Sequence, residues 1–309
     1  MKHKDLVRRF SFVNEPIRGQ LVTLDASWQE IINRSEAGEY ARTMLGHALA
    51  AVSLIASTLK FDGSITLQIK GNGPVNLLVV EATSARTIRG VVRQSQAEFD
   101  ETLALIDIFG ADKMVITINS GKGRPYQGIV PLTGQNLSEA LVGYFEHSEQ
   151  LQTHLWLAAD ANSAAGMLIQ KMPPKSDNST GPDNLTGSND YKESHDEDAW
   201  SRVIQLSETI KPEELLELDS ETIVYRLFHE EDVKIFEEQQ VSFHCSCTRS
   251  RTDAMLVTLG KTEIKQVLAE EGEISIQCEF CNEVYRYDAI DVEKLFIDNL
   301  VEPSENRHH

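Results

Sequence analysis

The sequence lacks a long apolar run. Its most apolar stretch, Ala48 to Leu59, lies between His47 and Lys60 and falls short of the ~20 residues a membrane-spanning helix needs. A buried helix is expected there instead. The N-terminus lacks a continuous apolar segment as well: from Met1 to Pro16, Lys2, Lys4, Arg8 and Arg9 interrupt single apolar residues. That pattern is not a secretory signal, so a cytoplasmic protein is expected. Basic charge is scarce, with 29 Lys and Arg against 48 Asp and Glu and a net charge of -19. Neither nucleic acid nor an anionic membrane is expected as a partner, because both are held through clustered Lys and Arg. Cysteine is scarce too. There are four, and in a reducing compartment four clustered cysteines point to metal or redox chemistry, not to standing disulfides.

What is present is enough apolar material, 41% of 309 residues, for a full core and a second, smaller unit. The expected fold class is α+β: a mixed sheet-and-helix N-terminal domain, a helical linker and a small C-terminal zinc-binding domain. The first domain is expected over residues 1–172. Ile65, Leu67 and Ile69 alternate with polar residues, and Gly71-Asn72-Gly73-Pro74 turns the chain into Val75 to Val80, a hairpin signature. Val115 to Ile118 leads through Gly121-Lys122-Gly123 to Ile129 and Val130 as a weaker echo. Helices are expected at Asp25 to Asn33, at Tyr40 to Leu59 and after Asn136, where Asn136 and Glu139 have capping-box spacing.

Residues 173–240 are expected as a polar linker followed by amphipathic acidic helices. From Pro173 to His195 the chain has too little apolar content to offset the entropy of ordering; Asn178 and Asn184 there match a glycosylation triplet only by chance. From Asp196 to Gln240 there are 14 acidic and 4 basic residues, more than half the net charge. Helical patterning runs from Trp200 to Phe236, with Ile223, Val224, Leu227 and Phe228 on one face and Pro212 at a helix start. Such a stripe is either docked permanently or uncovered when its neighbour lets go. Residues 241–298 form the third region, with strands expected at Val241 to His244, Ile274 to Gln277 and Val284 to Tyr287. A helix is expected from Thr262 to Glu271, burying Ile264, Val267 and Leu268. Residues 299–309 are a tail, where His308 and His309 are incidental.

Cys245, Cys247, Cys278 and Cys281 form a Cys-x-Cys and a Cys-x-x-Cys pair, a set suited to one closed tetrahedral zinc site of four thiolates. His244 is expected as a neighbour of that site. A closed site has no open position for substrate, so no enzyme activity is expected. Structural zinc contributes ~10–16 kcal/mol of apparent folding energy, against a typical domain stability of ~5–15, so removing it should unfold this region. Zinc-bound sulfurs are already thiolates, the form oxidants attack, and Arg249 and Arg251 are expected to favour that form. If Cys245 and Cys247 lie on an extended strand, their Cα atoms stand ~6.6–7.2 Å apart, at or beyond the usual disulfide limit of ~6.8 Å. Bridging them would then require the backbone to bend.

The chain resembles the redox-regulated 33 kDa heat-shock chaperonin family. The resemblance rests on Phe243-His244-Cys245-Ser246-Cys247-Thr248-Arg249, on Cys278-Glu279-Phe280-Cys281-Asn282, and on Arg226-Leu227-Phe228-His229-Glu230-Glu231. Leu59-Lys60-Phe61-Asp62-Gly63, Gly71-Asn72-Gly73-Pro74 and Gly128-Ile129-Val130-Pro131-Leu132 carry it into the N-terminal half. The stretch Pro173 to His195 is longer than the family pattern. The resemblance implies an ATP-independent holdase, inactive while reduced and zinc-bound, activated when oxidants release zinc and form disulfides between Cys245 and Cys247 and between Cys278 and Cys281. It implies unfolding client proteins as partners and a homodimer when oxidised.

Other classes fit less well. His229-Glu230-Glu231 with Cys278-x-x-Cys281 echoes a zinc deaminase signature, but Gln277 stands where that signature has Pro, and Cys245 and Cys247 would have no role. A constitutive zinc ribbon binding a protein or RNA partner is the alternative, with acidity against RNA. The turns at Gly71 and Gly121 lack the spacing of a phosphate-binding loop and are expected as hairpin turns.

Overall fold

The computed structural model describes residues 5–59, 62–96, 99–121, 123–173 and 198–301, the last four as helical backbone. The expected linker from residue 174 to 195, with Asn178 and Asn184, and the tail from residue 302, with His308 and His309, lie outside the described residues. The structure is α+β. It divides into two compact units, residues 1–244 and 245–309.

The larger unit begins with strands β1 (Leu6–Phe12) and β2 (Ile17–Leu24) and helices α1 (Ala26–Ile32) and α2 (Glu39–Thr58). Strands β3 (Ser64–Lys70), β4 (Val75–Thr83) and β5 (Thr87–Gln94) follow, then α3 (Leu105–Phe109), β6 (Lys113–Asn119), β7 (Tyr126–Pro131) and α4 (Leu137–Tyr144). After a π-helical turn at Phe145–Glu149 come β8 (Thr153–Ala159) and β9 (Ala164–Lys171), then α5 (Ala199–Ser207), α6 (Pro212–Glu217) and α7 (Ser220–Phe228). Three short strands end the unit: β10 (Val233–Ile235), β11 (Gln239–Gln240) and β12 (Ser242–Phe243).

Two sheets result. In the first, β1, β2, β9 and β8 are antiparallel neighbours, and both β10 and β11 pair with β1. The second runs β12-β5-β4-β3-β6-β7. The two expected hairpins, β3–β4 and β6–β7, are adjacent in it, because β3 also pairs with β6. Helix α2 lies against strands of both sheets, which is why its small and branched residues, Ala41, Leu45, Ala48, Leu49, Val52 and Leu54, are buried. This is the helix expected from the apolar stretch.

The Gly71–Pro74 turn is packed against by backbone. The Gly73 N–H donates to the Phe109 carbonyl at 2.9 Å, and a Cβ on Gly73 would come within 2.4 Å of the Ile108 carbonyl oxygen. Glycine is needed there because the end of α3 closes on the turn. At α4 the expected cap is present: Asn136 Oδ1 accepts the Glu139 N–H at 3.0 Å, while Glu139 Oε2 accepts the N–H of Gln135.

The first sheet has a second buried face. Phe10, Phe12, Ile17, Leu21, Met167 and Ile169 pack against Val203, Ile204, Leu215, Ile223, Val224, Leu227 and Phe228 of α5 to α7. The expected stripe therefore exists and is docked, with the Phe228 ring 5.1 Å from that of Phe12. Gly19 lies opposite Phe10 in the β1–β2 register and leaves room for its ring. Arg8, on the same face of β1, donates to the Phe236 carbonyl at 3.0 Å and pairs with Glu221 and Glu238. Helical structure stops at Phe228, short of the expected Phe236. The residues beyond it instead complete the open edge of β1, where backbone groups need partners.

Residues 241–244 belong with this larger unit and not with the cysteine region, because Val241 is buried and β12 pairs in parallel with β5. In the smaller unit, α8 (Arg249–Leu259) precedes α9 (Lys261–Glu271), β13 (Ile274–Gln277), β14 (Val284–Tyr287) and α10 (Ala289–Val301). Its core is Leu256, Ile264, Ile274, Tyr287, Val292 and Phe296, with Leu268 partly buried. Val267, expected in that core, is exposed because it lies to one side of the face that carries Ile264 and Leu268.

Candidate metal centre

Two chain segments of the smaller unit carry the cysteines. Cys245 and Cys247 lie in an irregular stretch before α8. Thr248 caps that helix by accepting the Arg251 N–H, and the Arg251 guanidinium donates to the carbonyl and hydroxyl oxygens of Ser246, at 3.0 and 2.7 Å. The residue between the two cysteines is thereby fixed. Cys278 and Cys281 occupy the turn joining β13 to β14. There the Cys278 N–H donates to the Glu283 carbonyl and the Asn282 N–H to the Cys278 carbonyl, both at 2.8 Å. Asn282 takes the left-handed conformation the turn needs, with φ of 61°, a region asparagine tolerates better than most residues.

The turn and the irregular stretch bring the sulfurs together. Cys245 Sγ is 3.6 Å from Cys278 Sγ, Cys247 Sγ is 3.3 Å from Cys281 Sγ, and all four lie within 4.8 Å of one another. A tetrahedral ion at ~2.3 Å from each sulfur would separate them by ~3.8 Å, so the four are positioned to hold one metal ion. Among the described residues this is the one such group of His, Cys, Asp and Glu side chains. The set is sulfur only. His244 ends the β12–β5 pairing through its backbone N–H, and His229 is an exposed residue at the end of α7, its ring 5.8 Å from that of Tyr225.

The electrostatics of the cluster ask for a cation. Burial pushes the Cys281 thiol up, opposed by the Glu283 N–H and reinforced by the neighbouring thiols. Crowded sulfurs resist ionising together unless a positive charge sits among them, and a divalent ion reverses this balance. The two arginines expected to supply positive charge are each held by neighbouring groups. Arg249 pairs with Asp291 at 3.1 Å, donates to the Arg286 carbonyl and lies over the Tyr287 ring, while Arg251 holds Ser246. The strand premise behind a strained Cys245–Cys247 disulfide has no support, because no strand runs through residues 244–248.

Tyr285 is a contact that spacing alone does not reveal: its hydroxyl donates to Cys247 Sγ at 3.3 Å. That bond holds the Tyr285 phenol above its usual range. Tyr287, two residues on, is buried and donates to Asp253 Oδ1 at 2.7 Å. The available signal was the alternation Val284-Tyr285-Arg286-Tyr287, which puts both tyrosines on one strand face. No described helix is long and apolar enough to cross a membrane.

Comparison with known proteins gives a consistent result. A family model described as "Hsp33 protein" matches residues 5–288. A "33 kDa chaperonin" of Methylobacillus flagellatus is 41% identical over 311 residues, covering all of both chains. Proteins of the same description from Nitrosococcus oceani and Pseudomonas aeruginosa are 38% and 41% identical, again over full length. The crystal structure of a 33 kDa chaperonin, a heat shock protein 33 homologue from Thermotoga maritima, superposes with a TM-score of 0.75 at 21% identity, covering 96% of this chain and 100% of that one. That likeness shows the fold.

Proposed function

This chain belongs to the Hsp33 protein family, and from that premise we propose that it is a cytoplasmic, ATP-independent holdase chaperone switched by oxidation. In the resting form Cys245, Cys247, Cys278 and Cys281 hold one zinc ion as thiolates and the protein is inactive. The observation that carries this is the convergence of four sulfurs within 4.8 Å in a unit with few buried apolar side chains. Zinc, when bound there, supplies a structural tie worth ~10–16 kcal/mol of apparent folding energy, enough to decide whether so small a unit is folded.

The groups that hold the fold are also the groups that sense oxidant. Oxidation to disulfides removes the negative charge that makes sulfur a ligand, so bond formation and loss of the metal site are one event. Cys245 with Cys247 and Cys278 with Cys281 are the pairs the family resemblance implies. The sulfur distances do not choose among pairings, since a tetrahedral site keeps all four close.

The active surface we assign to the apolar face of the first sheet and the α5–α7 stripe that covers it. Phe243, the last residue of β12, is two positions from Cys245, so loosening of the cysteine region is passed along the chain to β12, β11 and β10. Those strands are two or three residues long and have few hydrogen bonds to lose. Released, the acidic helices expose Phe228 and its neighbours on a strongly charged and therefore well-solvated segment. Unfolding or partly unfolded proteins are the clients, and the oxidised form is a homodimer.

The test compares the reduced, zinc-loaded protein with the same protein after hypochlorite or warm peroxide. Bound zinc and the suppression of a thermally unfolding client's aggregation are both measured, without ATP. One zinc per chain and no protection should give way to zinc loss and protection. Equal protection by the reduced form would make the cysteines purely structural, as in a constitutive zinc ribbon.

A further inference from the structure

We propose that Tyr285 sets which sulfur of the cysteine cluster meets oxidant first, its hydroxyl restraining Cys247 as a nucleophile and leaving first attack to the other sulfurs. This rests on the four cysteines being an oxidisable metal site. Tyr285 lies opposite Ile276 in the β13–β14 pair, on the strand face that also carries Tyr287. Its ring packs at the edge of the small core, and its hydroxyl donates to Cys247 Sγ at 3.3 Å. Cys281 takes a backbone N–H from Glu283, and Cys245 and Cys278 face each other at 3.6 Å. Cys247 is thus bonded by a side chain from outside the cluster.

The chemistry follows from where charge goes. When Cys247 attacks a hydroperoxide, a sulfur–oxygen bond forms and the oxygen–oxygen bond breaks. The sulfur is oxidised by two electrons to sulfenic acid, and the leaving alkoxide or hydroxide takes a proton from water. A neighbouring thiolate then displaces hydroxide from that sulfur, closing a disulfide. In the first step negative charge leaves the sulfur, so a donor bonded to it stabilises the resting thiolate more than the transition state, and slows attack. A hydrogen bond to an ionised group is worth about 10- to 100-fold in an equilibrium. Thiolate reactivity follows roughly the 0.4–0.5 power of such a factor. The hydroxyl therefore slows attack about 3- to 10-fold.

The experiment uses the full-length, zinc-loaded protein and its Tyr285→Phe and Tyr287→Phe variants. Zinc release is followed with a chromophoric chelator over a series of hydrogen peroxide concentrations, and sulfenic acid is trapped with a 1,3-dione and mapped by mass spectrometry. Tyr285→Phe should raise the peroxide-dependent rate of sulfenic acid formation at Cys247 about 3- to 10-fold, leave zinc loss without peroxide unchanged, and shift trapping toward Cys247. Tyr287→Phe, which removes the same atom from the same strand face but away from sulfur, should leave the peroxide dependence unchanged. An unchanged rate of trapping at Cys247 in Tyr285→Phe overturns the proposal, as do zinc loss without peroxide in that variant and equal acceleration in Tyr287→Phe. Wild-type protein that binds no zinc, or keeps it under peroxide, removes the oxidisable metal site itself and this inference with it; wild-type release with an unchanged Cys247 trapping rate in Tyr285→Phe removes Tyr285's role alone.

Discussion

His47 shows how much a single position takes from its surroundings. It lies within α2, and burial there holds its imidazole down at about 4. The folded protein thus keeps His47 neutral over a range in which the unfolded chain, with an ordinary value near ~6.5, takes up a proton. The group's contribution to stability is present above that value and is lost as pH falls toward 4, by about 2 kcal/mol once partial exposure is allowed for. Urea unfolding of the protein and of His47→Gln at pH 7 and pH 4.5 checks this. The variant should lose less stability between the two pH values, and equal losses would contradict the assignment. The cysteines were legible at this scale because two tight pairs are conspicuous in a chain with no other cysteine. Tyr285 was not, because a hydroxyl reaching a sulfur depends on the β13–β14 register.

Helix α7 is the element on which the proposed activity turns. Asp219 Oδ1 caps it by accepting the Thr222 N–H at 2.9 Å, and Ile223, Val224, Leu227 and Phe228 are buried. Truncating a buried phenylalanine costs ~3–5 kcal/mol, a large part of a domain's usual ~5–15. Phe228→Ala should therefore loosen α7 while the cysteines stay reduced. The reduced, zinc-loaded variant should bind an apolar dye and exchange its α7 amides faster than the parent; parent-like values would show that Phe228 does not hold the stripe down. Elements with strong local signals were readable from sequence, as at the β3–β4 glycine turn and at Pro212, the first residue of α6. The strands β10 and β11 were not, since two- and three-residue strands exist only through partners on β1, far away in sequence. Helix α8 also escaped, because Leu256 is the one residue it fully buries. Helix α10 carries a local signal as well: Asp288 accepts the Asp291 N–H at 2.8 Å, and Val292 and Phe296 are buried at helical spacing.

At the scale of the whole molecule, one large α+β unit with two buried faces contrasts with a small unit whose core needs help. Removing the metal should affect them unequally. A strong chelator under reducing conditions should abolish hydrogen-exchange protection in residues 245–301 and leave the α2 amides protected. In thermal unfolding, added zinc should raise the transition of the small unit and not that of the sheets, as expected when a ligand binds one folded unit alone. Loss of both together, or of neither, would refute a metal-dependent small unit. The α+β class was legible from alternating helix and strand signals. The assignment of residues 198–244 to the larger unit was not, because composition marks that segment as acidic without showing which sheet face it covers.

The most direct test of the switch follows zinc release and client protection in one sample after oxidant is added, using a chelator's absorbance and the light scattering of an aggregating client. Protection should be absent at the start and rise with or after zinc release, and a reductant with zinc should reverse both. Full protection while zinc is still bound, or zinc release with no protection at any later time, would contradict it.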